Sequence, residues 1–152
     1  MPNRMRRGLT LLELVICVTL LGVVTAIVVG RNGRQLVSTF GAQADAREIG
    51  LALLQARRLS ISTGTTHAVQ LNSSSGSIVS FSVVSIVSGL ATVVDGPTAF
   101  TTDLAVTAST SQLIFDFEGK AGAAYWVQLA GSNATWRIDV VPLTGSITTV
   151  KL

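Results

Sequence analysis

The most continuous run of apolar positions lies near the N-terminus of the chain, at residues 9–29. Glu13 is the one charged residue among these 21 positions. A helix of this length rises about 30 Å, which matches the thickness of the hydrocarbon core of a bilayer. The pattern therefore predicts a helix that anchors the chain in a membrane.

Two other kinds of segment contain an apolar run of this type. A cleaved secretory signal has an apolar region of about 7–15 residues followed by a small-x-small site, and Val28-Val29-Gly30 matches that site poorly. A lipoprotein signal needs a small residue before its cysteine, whereas Ile16 precedes Cys17. The length of the run favours an anchor that stays attached.

Helical spacing of apolar residues resumes after Gly30-Arg31-Asn32-Gly33 and continues to Leu59. The two glycines lower helix stability, so the helix predicted over residues 9–62 has a candidate break near Gly30. Its second half, residues 30–62, carries a single apolar stripe and must pack on another element.

The chain after Gly64 is rich in Val, Ile, Thr and Ser, with turn signals between the apolar segments. Leu113, Phe115 and Phe117 alternate with polar or outward positions, as expected for a strand with one buried face. We predict an α+β fold, in which the long N-terminal helix packs on a small antiparallel β-sheet domain. Residues 97–111 are predicted to be a loop, and strands are predicted at 65–71, 77–87, 90–94, 112–118, 125–130, 135–141 and 146–152.

The charge of the chain is concentrated at its N-terminus. The net charge of +3 comes from Arg4, Arg6 and Arg7, because from residue 9 onward eight cations balance eight anions. These arginines are expected to keep the N-terminus in the cytoplasm, with the C-terminal domain on the opposite side of the membrane. Hydrophobic residues make up 48% and charged residues 12% of the chain, which excludes intrinsic disorder for most of it. Because residues 9–152 carry no net charge, nucleic-acid binding is not expected.

The residue types that carry catalysis or bind metals are sparse. One cysteine and one histidine exclude an internal disulfide and the usual zinc ligand sets. Asp116 and Glu118 would share one strand face, which is more typical of a solvated surface than of a metal or acid pair. His67 is expected to be structural, because no second histidine or cysteine accompanies it. The sequence therefore predicts no enzyme activity, no cofactor and no metal.

Two further groups of side chains receive structural interpretations. Arg57 and Arg58 are predicted to lie on a plain polar helix face, with a contact to a neighbouring subunit or to lipid head groups as the alternative. Trp126 and Trp136 are predicted to pack on neighbouring strands of one hairpin.

The N-terminal residues Arg6-Arg7-Gly8, followed by Leu9-Thr10-Leu11-Leu12-Glu13-Leu14 and the long apolar run, resemble the signal of type IV prepilins. This resemblance implies cleavage between Gly8 and Leu9 by a prepilin peptidase and N-methylation of Leu9. It also implies that Glu13, the fifth mature residue, docks the subunit on the terminal amine of a neighbour. The chain departs from the family in having Leu rather than the commoner Phe at the first mature position.

The rest of the chain resembles minor pseudopilins of the GspH and FimT/FimU type. The resemblance rests on Ala46-Arg47-Glu48-Ile49, on residues 54–58 and 113–119, and on Thr144-Gly145 before a last strand. In FimT-like DNA-uptake pilins this glycine is usually followed by Arg, whereas Ser146 follows Gly145 here. Nucleic acid is therefore not expected as a partner.

The resemblance implies a complete organisation and role for the chain. Residues 1–8 form the leader, 9–29 the transmembrane and filament-core helix, 30–62 its amphipathic continuation and 63–152 the β-rich domain. The expected role is that of a minor pseudopilin in a type II secretion pseudopilus, and the alternative is a minor pilin of a type IV pilus for priming, adhesion or DNA uptake. The implied partners are the prepilin peptidase, other pilin or pseudopilin subunits and, before assembly, the inner membrane, with the C-terminal domain in the periplasm.

Overall fold

The computed structural model describes residues 11–101, 104–132 and 134–152, without the side chains of residues 28–40. The chain divides into two compact units, Met1–Leu36 and Val37–Leu152. Gly8 and Leu9, the predicted cleavage site, lie outside the described residues. Within them, no helix combines the length and the apolarity that crossing a membrane requires.

The N-terminal helix α1 comprises Leu11–Thr63. It ends at Gly64, whose φ of +66° lies in the left-handed region that glycine adopts without strain. The candidate break near Gly30 does not occur, since α1 continues through both Gly30 and Gly33. Glycine lowers helix stability by about 1 kcal/mol relative to Ala but, unlike proline, removes no backbone hydrogen bond.

The chain after α1 forms two antiparallel sheets within the described residues. The first sheet has the strand order β3-β2-β1-β5 and the second has the order β4-β6-β7-β8. This arrangement confirms the predicted α+β fold and divides the expected small sheet domain into two sheets. The strands are β1 (Thr66–Ser74), β2 (Ser77–Val87), β3 (Leu90–Ala99), β4 (Ala105–Ala108), β5 (Gln112–Phe115), β6 (Tyr125–Ala130), β7 (Thr135–Val140) and β8 (Ile147–Lys151).

The predicted loop at 97–111 is partly wrong, because it contains the end of β3 and the whole of β4. Pro97 does not end β3, because β3 lies at the edge of its sheet, where a residue without an N–H is tolerated. In β4, Val106 pairs with Leu129 and is buried. Only this one side chain of β4 is buried, so the four-residue strand has too little alternation to be recognised from sequence.

Strand β5 ends at Phe115 rather than at the predicted residue 118. The side chain of Asp116 accepts the backbone N–H groups of Glu118, at 3.0 Å, and Lys120, at 2.8 Å, and so forms a turn. The expected inward position of Phe117 is therefore wrong, and its side chain is 60% exposed.

The core lies where the second half of α1 packs on both sheets. Small residues on the buried helix face, such as Ala46 and Ala56, allow the sheets to approach the helix closely, and Ile49 and Leu53 fill the space between them. The strand residues in this core alternate along β1, β5, β6 and β7, as the sequence pattern predicts. They include Val69, Leu71, Leu113, Phe115, Val127, Leu129, Ile138 and Val140.

One charged residue, Asp45, is buried on this helix face. Its carboxylate accepts two hydrogen bonds from Thr101, from the backbone N–H at 2.7 Å and from the hydroxyl at 3.1 Å. Gly41, one turn earlier, leaves room for Thr101, because a Cβ at that position would lie 2.9 Å from the Thr101 Cγ2. The pair fixes the segment that follows β3 against the helix.

We expect Asp45→Ala to lower the free energy of unfolding by about 2–3 kcal/mol, because it leaves the Thr101 N–H without its charged acceptor. Glu48→Ala, at an exposed position on the same helix, is the matched control and should change it by less than about 0.5 kcal/mol. Urea unfolding of both variants checks this. Equal effects of the two substitutions would contradict a specific role for Asp45.

Candidate functional site

The described part of α1 in the first unit exposes its side chains all round. Contiguous apolar surface of this extent marks a site of contact with protein or membrane. The exposed apolar residues are Leu11, Leu12, Leu14, Val15, Ile16, Val18, Leu20, Leu21, Val23, Val24 and Ile27. This segment is the candidate assembly surface of the protein.

The assembly surface contains two threonine hydroxyls and one carboxylate among its polar groups. The Thr19 hydroxyl donates to the carbonyl oxygen of Ile16 at 2.9 Å, and the Thr25 hydroxyl donates to that of Leu21. Both hydroxyls are therefore satisfied within the helix. Glu13 lies in the first turn of α1, where its negative charge complements the positive end of the helix dipole.

Glu13 differs from the rest of the assembly surface in two respects. It is the one ionisable carboxylate among residues 11–27, and its side chain is exposed on a surface that is otherwise apolar. When such a surface is covered, a carboxylate on it costs several kcal/mol unless it meets an opposite charge.

The acidic residues Asp116 and Glu118 make separate contacts in and beside one turn. Asp116 and Glu118 do not share a strand face, since β5 ends before them. Asp116 shapes the turn, and Glu118 forms an ion pair with Lys120. The hydrogen bond and charge of Glu118 raise the pKa of the Lys120 amine above its ordinary value. The part of the chain that the structure describes contains no cluster of three His, Cys, Asp or Glu side chains suited to a metal.

His67 and the tryptophans occupy structural positions. His67 is buried on β1, with Nδ1 3.2 Å from the carbonyl oxygen of Thr65. Trp126 and Trp136 lie on the paired strands β6 and β7, in agreement with the predicted hairpin. The Arg137 guanidinium lies 5.2 Å from the centre of the Trp126 ring, and its Nε donates to Asp139 at 2.8 Å.

A contact between two turns and α1 was not predicted from the sequence. Arg57 is half-buried, and its Nε donates to the carbonyl oxygen of Gly119 at 3.0 Å, so the expectation of a plain polar face is wrong for this residue. Gly145 lies against the same carbonyl, because a Cβ on Gly145 would come within 2.1 Å of that oxygen. The glycines indicated turns, but no local signal shows which turns meet.

Comparison with known proteins gives one match to the N-terminal segment and several to the fold. The family of the prokaryotic N-terminal methylation motif matches residues 3–29. No curated protein sequence gives a significant match.

Solved structures of minor pseudopilins and pilins are similar to this chain. The minor pseudopilin EpsH from the Type 2 Secretion System of Vibrio cholerae is 12% identical, with a TM-score of 0.59 over 72% of this chain and 95% of that one. The type IV minor pilin FimU of Pseudomonas aeruginosa PAO1 is 15% identical, with a TM-score of 0.62 over 76% of this chain and 92% of that one. A second EpsH structure is 11% identical, with a TM-score of 0.56 over 72% and 93% of the two chains. The chain thus carries a prokaryotic N-terminal methylation motif and a pilin-like fold.

Proposed function

We propose that the chain is a minor pseudopilin, a structural subunit that helps to initiate or cap the pseudopilus of a type II secretion system. The observation that carries this proposal is the assembly surface, an exposed apolar helix with a single carboxylate, Glu13, in its first turn. The same helix, α1, continues into the core of the globular domain. A filament subunit needs this combination, because its helix must be buried by neighbours while its domain folds independently of them.

The chemistry of processing supports the proposal. Cleavage between Gly8 and Leu9 removes the three leader arginines and creates a new amine at Leu9. We propose that this amine meets the Glu13 carboxylate of an adjacent subunit when both become buried. The role is structural, which is in line with the likeness to the minor pseudopilin EpsH and the minor pilin FimU.

The proposed location follows from the leader and the apolar run. Before assembly, the helix lies in the inner membrane, where three arginines on the N-terminal side favour a cytoplasmic N-terminus. The globular domain is then periplasmic. On assembly, the helix exchanges lipid for the apolar helices of other subunits in the filament core.

A second candidate function is that of a minor pilin in a type IV pilus. The observation that favours it is the likeness to FimU, whose TM-score of 0.62 is comparable to the 0.59 of EpsH. Deletion of the gene in its native host separates the two functions. Loss of type II substrates from the medium with normal surface pili supports the pseudopilin, and loss of pili with normal secretion supports the pilin.

Processing gives the first quantitative test of the proposal. We expect the intact mass of the protein from cells with active prepilin peptidase to correspond to loss of Met1–Gly8 and gain of one methyl group. Cells without the peptidase should contain the full chain. An unprocessed chain in both strains would overturn the proposal, and a cut near Gly30 would show that the segment is a secretory signal.

A further inference from the structure

The second half of α1 carries a second line of regularly spaced side chains on the face opposite its buried stripe. The spacing alternates between three and four residues, as it does along any one face of a helix. All members of this line are exposed, and we call them the outer seam: Ala44, Arg47, Leu51, Leu54, Arg58 and Ile61. The sheets pack on the other face through Ile49 and Leu53, and the Ile61 end of the outer seam lies against the turn at Gly119.

The outer seam exposes large apolar side chains to solvent. The side chain of Leu51 is 65% exposed and that of Ile61 is 53% exposed. Side chains at these spacings lie on one face of a helix, because 3.5 residues make about one turn. Large aliphatic residues at the centre of the line, Leu51 and Leu54, are the residue types that interlock between paired helices.

A groove lies on each side of the leucine pair. One groove of about 440 Å³ is lined by Leu51, Leu54, Gln55, Arg58, Leu59 and Ser62. The other, of about 320 Å³, separates the helix from β8 and is lined by Arg47, Gly50, Leu51, Leu54, Ile147 and Thr149. The leucines thus form a ridge between two depressions, and a second helix laid along the ridge can place its own side chains in both.

The charges on the outer seam restrict the kind of helix that fits. Arg47 and Arg58 bracket the two leucines and lie eleven positions apart, which corresponds to about 16 Å along the helix. Both side chains are exposed. A partner with acidic side chains at the same separation meets both arginines, whereas a basic partner is repelled at both ends.

The same surface is less suited to a membrane. Helices that lie on lipid present a broad apolar face with several Lys or Arg residues. Here the apolar line is narrow, Glu48 is exposed beside Arg47, and the grooves offer concave space that lipid chains do not require.

From this geometry we infer that the outer seam binds a helix of another protein, in a side-by-side contact of about two heptads, through apolar residues flanked by two acidic ones. This contact lies in the globular domain and goes beyond assembly through the N-terminal helix. It holds for a partner in either kind of filament, and it can fail while processing and the Glu13 contact remain intact.

Site-specific photo-crosslinking of the full chain in its native cells tests the inference. A photoreactive residue at position 54 should capture a helical segment of a different protein, and mass spectrometry of the crosslinked peptide should find Asp or Glu residues about eleven positions apart around the point of attachment. The same probe at Leu90, an exposed position on β3, is the control for proximity and should not capture that segment.

Charge reversal then separates specific docking from proximity. The double variant R47E/R58E should lower the yield of the crosslink at position 54 by about tenfold or more, and reversal of the two acidic partner residues to Lys should restore it. Lys151→Glu, which reverses an exposed charge on β8 outside the lining of both grooves, should leave the yield unchanged. The thermal midpoint of the double variant should match that of the unchanged chain, because both arginines are exposed.

Each other outcome overturns the inference. Capture of lipid assigns the seam to the membrane surface, and capture of a second copy of this chain assigns it to self-association. Capture of a strand or a basic segment excludes the proposed helix, as does the absence of a product. A yield that is insensitive to R47E/R58E shows that the arginines do not select the partner. Processing, measured by intact mass in the same cells, reports separately on the proposed function.

Discussion

Glu13→Ala is expected to be cleaved and N-methylated like the unchanged chain but to be nearly absent from filaments. The substitution leaves the cleavage site intact, since Gly8 and Leu9 are unchanged. It removes the carboxylate that we propose to meet the terminal amine of an adjacent subunit inside the filament. Removal of one partner of a buried ion pair costs about 3–5 kcal/mol, which corresponds to a loss of roughly 10²–10⁴-fold in subunit affinity.

The measurement is the amount of the protein in sheared filaments relative to the amount in the membrane fraction. Glu13→Gln keeps the size of the side chain and removes its charge, so it should behave like Glu13→Ala. Thr19→Val is the matched control on the same surface, because the Thr19 hydroxyl is already bonded to the Ile16 carbonyl within the helix. Normal incorporation of both Glu13 variants, with processing intact, would show that this carboxylate does not dock the subunit.

The features that could be predicted from sequence are those encoded by neighbouring residues. The helix end at Gly64 and the bounds of β2 and β6 depend on local apolar spacing and on turn residues, and the predictions agree with the structure. The prepilin signal is also local, since its leader, cleavage site and carboxylate occupy consecutive positions. Such signals need no knowledge of the tertiary structure.

The errors share a different physical origin. Strand β4 depends on pairing with β6, which is some twenty residues later in the chain, and its own sequence carries little alternation. The role of Arg57 depends on a turn that contains Gly119, and the role of Asp45 depends on Thr101. In each case the sequence identifies the residue type, but only the fold identifies the partner.

The amphipathic half of α1 shows that an interaction surface, too, cannot be identified from sequence periodicity alone. Sequence periodicity predicted one apolar stripe, and the structure confirms it as the face that contacts both sheets. The outer seam uses the same helix and a similar spacing, yet it could be distinguished only after burial showed which apolar residues the domain covers. Candidate interaction surfaces on such a helix are therefore the apolar residues that remain exposed once the residues buried in the core are known.

The contact between two turns at Gly119 and Gly145 gives the largest expected effect on stability. Gly145 has φ of +60°, a conformation that costs an L-residue about 1–2 kcal/mol. A Cβ there would also come within 2.1 Å of the Gly119 carbonyl oxygen, which is backbone and already accepts the Arg57 hydrogen bond. The turn must shift, and the Arg57 bond is disturbed with it.

We therefore expect Gly145→Ala to lower the free energy of unfolding by about 3–5 kcal/mol in total, out of about 5–15 kcal/mol for a typical domain. Gly76→Ala is the matched control, since Gly76 has φ of +83° but no atom within 4 Å of an added Cβ. It isolates the backbone strain and should cost only about 1–2 kcal/mol. Urea unfolding of the full chain in detergent, followed by the fluorescence of Trp126 and Trp136, measures both. Equal losses of unfolding free energy in the two variants would mean that the turns do not meet at Gly145. A larger loss in Gly145→Ala would show that the contact between the two turns stabilises the globular domain.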